Sequence, residues 1–183
     1  MSSIEDLERS LTNTTRLVRG VRDEQWTAPT PCAAWNVGAL VNHATWVVEM
    51  FGNAAQGRPP ATGREDRVLG ADPKGDFDRA ARDAIEAWRA RGLDGTITIP
   101  LGEVPAAMGI RINTVDAFIH GWDLAQATGQ DAQLDEDLAA VLYEFTEPLV
   151  PPSPRGDNFG PVVEVPEDAN AVDRLLAYSG RKP

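Results

Sequence analysis

The sequence predicts an all-α protein: a four-helix bundle with a long crossover connection and an extended C-terminal tail. Apolar residues recur at three- and four-residue steps in run after run along the 183 residues, the period of one helix face. Proline- and glycine-rich stretches separate these runs. One of the breaks is long enough to carry the chain across a bundle, a recurrent topology for packed helices.

Ile4, Leu7, Leu11, Thr14, Val18 and Val21 share one face of a first helix, and Ser2 followed by Glu5 has the form of a capping box. The prolines of Thr27-Ala28-Pro29-Thr30-Pro31-Cys32 forbid its continuation. Asn36 is placed to cap a second helix in which Val37, Leu40, Ala44, Val47 and Phe51 keep the period, ending near Gly57. Residues 57–75 carry no apolar period and are read as the crossover loop. A third helix runs from about Asp76 to Arg91 with Phe77, Ala81, Ile85 and Trp88 inward and Gly92 as its stop. Thr96-Ile97-Thr98-Ile99 alternates as a short strand or an extended edge. Pro105 suits the first position of a fourth helix, along which Met108, Ile112, Val115, Ile119 and Trp122 repeat until Gly129. A further helix spans about Asp135 to Leu149, and a short one lies around Ala171-Val172-Asp173-Arg174-Leu175-Leu176 in a proline-rich tail.

Composition sets the class. With 42% hydrophobic and 25% charged residues the chain reads as one globular domain over residues 1–183. Lys plus Arg total 17 against 28 Asp plus Glu, a formal charge of −11 that argues against nucleic acid or an anionic membrane surface as partner. No apolar run would span a bilayer, the acidic start lacks the features of a signal peptide, and the expectation is a cytoplasmic protein. Cys32 is the single cysteine, so neither an intrachain disulfide nor a cysteine-cluster metal site is available. Dinucleotide-binding, Walker, nucleophile-elbow, zincin and kinase motifs are absent.

The two histidines, His43 and His120, both fall beside apolar stripes. Asp116 precedes His120 by four residues, about 40° apart around a helix and one turn along it, so both side chains reach one point. His43 joins them if the second and fourth helices pack face to face. Imidazole and carboxylate suit a divalent cation, and three protein ligands leave a position for water or substrate. The competing readings are a hydrogen-bonded core histidine for His43 and a helix-capping role for Asp116, should the fourth helix begin at Asn113. Asp123 reads equally as a carboxylate orienting an imidazole or as a surface acid. Trp35 and Trp46 are placed to wall a pocket near His43. Cys32 reads as a packed small residue, with no base near it in sequence.

Three segments taken together resemble a known family. They are Thr30-Pro31-Cys32-Ala33-Ala34-Trp35-Asn36-Val37 running to Leu40-Val41-Asn42-His43; Asp116 through His120-Gly121-Trp122-Asp123-Leu124-Ala125 to Thr128-Gly129-Gln130; and Asp173-Arg174-Leu175-Leu176 before Gly180-Arg181. The chain is similar across nearly its whole length to metal-binding proteins of the DinB/YfiT-like superfamily related to the N-terminal domain of mycothiol-dependent maleylpyruvate isomerase. The resemblance implies a four-helix bundle holding zinc or nickel, with His43 and His120 on ligand positions. Asp116 stands where relatives generally carry Glu or His. It further implies a small-molecule thiol such as mycothiol as cosubstrate. Because the isomerase itself has an additional C-terminal domain, maleylpyruvate is not the expected substrate.

The function expected is therefore a metal-dependent thiol S-transferase or isomerase acting on a small electrophile, with Arg111 the nearest arginine in sequence for an anionic substrate group. The alternatives are a metal-dependent hydrolase and a non-catalytic, metal-stabilised stress-response or binding bundle. Bundles of this kind often form homodimers through a helix face, although no face here is marked for it.

Overall fold

The structure is a computed structural model that describes residues 3–33, 35–58, 70–100, 102–153, 155 and 159–183. The chain forms two compact units, Met1–Ala132 and Gln133–Pro183.

In the first unit, helix α1 (Ser3–Arg19) is followed by a single 3-10 turn at Asp23–Gln25 and then by α2 (Val37–Ala55) and α3 (Pro73–Arg91). A hairpin of β1 (Thr96–Ile99) and β2 (Gly102–Pro105) leads into α4 (Ala106–Thr128). Helix α1 packs on α3 and α4, and α2 packs on the same two partners. The pairs α1/α2 and α3/α4 therefore stand at opposite corners of a four-helix bundle, and α2 lies directly against α4. The apolar faces read for the first three helices meet in one core, with Leu7 and Leu11 of α1, Leu40 and Phe51 of α2 and Phe77 and Trp88 of α3 all buried. Helix α4 adds Ile110 and Leu124 to that core, not the expected stripe from Met108 to Trp122, of which Met108 and Ile112 are only half-buried. Most positions of α4 are buried, so its apolar period does not single out the core face.

Local chemistry sets the element ends. Asn36 caps α2 by accepting from the Ala39 N–H at 2.9 Å. Helix α3 begins three residues earlier than the apolar period indicated, because Asp72 caps the Gly75 N–H at 3.0 Å and Pro73 occupies the first turn. That shortens the expected 57–75 loop, of which residues 59–69 lie outside the described residues, as does the Ser2 half of the expected capping box. Gly92 and Gly129 end α3 and α4 at φ of 75° and 67°, the left-handed region that glycine enters without a Cβ penalty. Thr96–Ile99 is a true strand, paired antiparallel with Gly102–Pro105 so that Ile97 and Ile99 face the core. Pro105 closes that ladder opposite Thr96 and so stands just before α4, at the N-cap position and not at the expected first helical one; the helix starts at Ala106.

Helices α2 and α3 approach closely at Gly52. A Cβ there would lie 3.1 Å from the Ala84 Cα, a backbone atom that cannot swing aside. Gly52→Val is expected to destabilise the protein by about 1–3 kcal/mol, the usual cost of overpacking, read as a lower urea midpoint with an unchanged slope. An unaltered midpoint would mean that α2 and α3 part without cost.

The second unit contains α5 (Glu136–Thr146) and α6 (Ala171–Tyr178). Asp135 caps α5 on the Leu138 N–H at 2.9 Å, as its position in the sequence indicates. The helix stops at Thr146 instead of continuing to Leu149, which is exposed. Pro148 follows the Glu147 cap, has no N–H to donate to the carbonyl one turn back, and so ends the helix there. Asn170 caps α6, and the Glu136 carboxylate accepts from the Ala171 and Val172 N–H groups at 2.8 and 3.2 Å, placing an acid at the positive end of that helix. Among the described residues no helix is long and apolar enough to cross a membrane.

Candidate metal centre

The packing of α2 against α4 determines which side chains meet. His43 sits on the inward face of α2, one turn after Leu40 and one turn before Val47, and its side chain is 8% exposed. Because α4 starts at Ala106, Asp116 lies in mid-helix and Asn113 is a buried residue of the same helix. The capping alternative for Asp116 is thereby removed. Its carboxylate, 21% exposed, faces the imidazoles of both helices: Oδ1 is 3.5 Å from His43 Nε2 and 3.6 Å from His120 Nε2. The two imidazoles stand edge to face with ring centroids 4.9 Å apart.

These separations fit a bound cation. Ligands about 2.0–2.2 Å from a tetrahedral zinc lie about 3.3–3.6 Å from one another, whereas an N–H···O hydrogen bond closes to about 2.9 Å. One donor atom from each of His43, Asp116 and His120 falls within 4.8 Å of the other two. An acid with one fewer methylene than glutamate thus still reaches both imidazoles.

The other nitrogen of His120 is occupied. Nδ1 is 2.9 Å from Oδ2 of Asp123, a carboxylate with no solvent exposure. Asp123 is therefore not a surface acid: it is buried, with one oxygen at hydrogen-bond distance from the His120 ring. With Nδ1–H donating to Asp123, Nε2 is the nitrogen presented to Asp116 and His43. Burial works against the charged form of His120, but the Asp116 charge and the Asp123 hydrogen bond outweigh it, and its pKa is pushed up to about 10. At neutral pH the metal-free cluster therefore carries a proton where a cation would sit.

The segment before α2 closes over the imidazoles. Val37 N–H bonds Ala28 O at 3.0 Å and Gly38 N–H bonds Trp26 O at 2.9 Å, pinning both ends of the loop. Inside it Thr30 Oγ1 donates to Trp35 O at 2.8 Å and accepts from the Cys32 N–H at 3.1 Å. The Trp35 ring thereby comes to rest 4.5 Å from the His43 ring and 5.7 Å from that of His120. The Trp46 ring lies 6.4 Å from that of His43. Arg111 is half-buried on α4, about 140° around the helix axis from Asp116. An open cleft of about 830 Å³ between α2 and α3, lined by residues including Glu49, Asn53, Asp76, Arg79 and Asp83, involves none of the cluster.

Cys32 is the residue whose part sequence reasoning missed. Its thiol donates to Asp123 Oδ2 at 3.2 Å, on the oxygen that also receives His120 Nδ1. The only sequence signal was its place in the same short block as Trp35.

Four helices, with an imidazole pair and a carboxylate facing one another across α2 and α4, define the class of this fold and site. The model of the mycothiol maleylpyruvate isomerase N-terminal domain matches residues 7–125, and the chain belongs to that family. It is 36% identical over 170 residues to the uncharacterized proteins Rv0738 and MT0763 from two strains of Mycobacterium tuberculosis, covering 90% of this chain and 90% of each relative. Among solved structures it is similar in fold to mycothiol-dependent maleylpyruvate isomerase, with a TM-score of 0.61 at 14% identity, and to a mutant of that enzyme with a TM-score of 0.64. In both cases the match covers 77% of this chain and 66% of the isomerase chain.

Proposed function

We propose that this protein binds a divalent cation, zinc or nickel, through His43, Asp116 and His120, and transfers a low-molecular-weight thiol such as mycothiol to a small electrophile, or isomerises that electrophile through it. The observation that carries the reading is the pair of separations from Asp116 Oδ1 to the two imidazole nitrogens, 3.5 and 3.6 Å, which match a tetrahedral coordination edge and exceed an ordinary hydrogen bond. When bound, a divalent cation supplies a Lewis acid that lowers the pKa of a thiol or water to near neutrality. The chain's own residues prepare the setting. Asp123 orients the His120 ring, Trp35 and Trp46 lie near His43, and Asp116 places one negative charge between two imidazoles. In the transfer reaction the thiol S–H bond breaks and an S–C bond forms, and the proton leaves with the displaced group. Family membership supports the thiol, and an abundant cytoplasmic thiol is the matching setting.

The test is metal analysis of the purified chain, followed by incubation of the loaded protein with a panel of small electrophiles, maleylpyruvate included, with and without mycothiol. The expected result is one divalent cation per chain and product formation only when thiol is present. Thiol-independent turnover would make the protein a hydrolase. A large chelator-induced drop in melting temperature with no turnover on any electrophile would make the cation a structural one.

A further inference from the structure

The thiol of Cys32 is used by nothing in the proposed reaction, yet it reaches across the bundle to the carboxylate that orients His120. We propose that Cys32 is a positioning residue for that imidazole, acting through Asp123; the consequence for metal affinity rests on the cluster being a metal centre.

Two readings of Cys32 compete on geometry. Donor atoms of Cys32, His120 and Asp123 also lie within 4.8 Å of one another, so the thiol is a conceivable ligand in its own right. The distances decide against that. Asp123 Oδ2 lies 2.9 Å from His120 Nδ1 and 3.2 Å from Cys32 Sγ, both hydrogen-bond lengths. Both are shorter than the edges of a coordination shell, and a zinc–sulfur bond of about 2.3 Å would lengthen the sulfur edge further. One carboxylate oxygen thus accepts two donors, one from α4 and one from a loop 91 residues away in sequence. Asp123 is wholly buried, so the S–H is one of the donors its carboxylate has in place of solvent. The same loop carries Trp35 against the His43 ring, so the contact ties the loop to the imidazoles on both helices.

The S–H group is a weak donor; its hydrogen bond goes to Asp123, and it also interacts with the His120 ring itself. Losses at partners that hold a ligand directly run to about 10–100-fold in metal affinity, so Cys32→Ala is expected near the low end, about tenfold. Cys32→Ser keeps a donor and is expected to recover most of that loss. Zinc affinity is read on the full chain by competition with a chromophoric chelator. The cobalt(II)-loaded wild-type protein is expected to show no thiolate-to-cobalt charge-transfer band in the near ultraviolet. Such a band, lost in both variants, would make Cys32 a ligand and overturn the proposal. Equal zinc affinity in wild type and Cys32→Ala would reduce the residue to packing.

A cation-free readout separates this inference from the reading beneath it. In the metal-free chain the imidazole nitrogen resonances of His120 are expected to move on Cys32→Ala and to return toward wild type in Cys32→Ser. Unmoved resonances sink the positioning role whatever the metal result. Failure of the wild-type chain to take up zinc or cobalt, with those resonances still moving, would reject the metal centre and leave the contact standing.

Discussion

His120→Ala is expected to abolish stoichiometric zinc or nickel uptake. The substitution removes one of three donors and with it the Nδ1 contact that holds Asp123. The loss should exceed the ~10–100-fold that follows from deleting an outer partner alone, because in the proposed centre a ligand disappears together with its support. It also leaves Asp116 and Asp123 without the imidazole both face, and Asp123 is fully buried. A buried carboxylate that loses one of its hydrogen-bond partners is costly, so the metal-free variant should also melt below the metal-free wild type. Metal content after dialysis and a thermal scan with and without chelator check both halves. Retention of one cation per chain would reject His120 as a ligand.

The second large effect is in pH. Because His120 is held protonated up to a pKa of about 10 in the metal-free cluster, a cation entering at neutral pH must displace that proton. Apparent zinc affinity should therefore rise by about tenfold per pH unit between pH 7 and 9, and about one proton should be released per cation bound. Calorimetric titration in two buffers of different ionisation enthalpy measures that proton directly. Metal-free stability should move the opposite way. A histidine whose folded pKa is raised contributes stability that is fully present below its ordinary value near 6.5 and is lost as pH climbs toward 10. Chelator-treated wild-type protein should accordingly lose more stability across that window than chelator-treated His120→Gln. Binding without proton release would show that the imidazole is already neutral and that the two carboxylates do not act on it as the geometry indicates.

Helix boundaries and the Asp116–His120 pair could be read from the sequence because their determinants are local. The pair is set by four residues of helical rise and rotation, and the capping and stopping residues Asn36, Gly92, Gly129 and Asp135 act on backbone groups within one turn. The second strand could not be read in this way. Gly102-Glu103-Val104-Pro105 has no alternation of its own, and it is extended only because β1 supplies a partner. The overrun at the end of α5 has a local origin too: Pro148 lies inside the apolar period and outweighs it.

What the sequence alone determined was the helical content, the family blocks and one face of α4 bearing a carboxylate and an imidazole. Tertiary structure alone decided that α2 lies against α4, so that His43 completes the trio. It also decided that Asp123 is buried behind His120 and that a cysteine 91 residues distant shares its oxygen. Helical period and capping are written into neighbouring residues, whereas convergence between elements depends on which faces the core packs together. That choice belongs to the whole chain and is carried by no single segment of it.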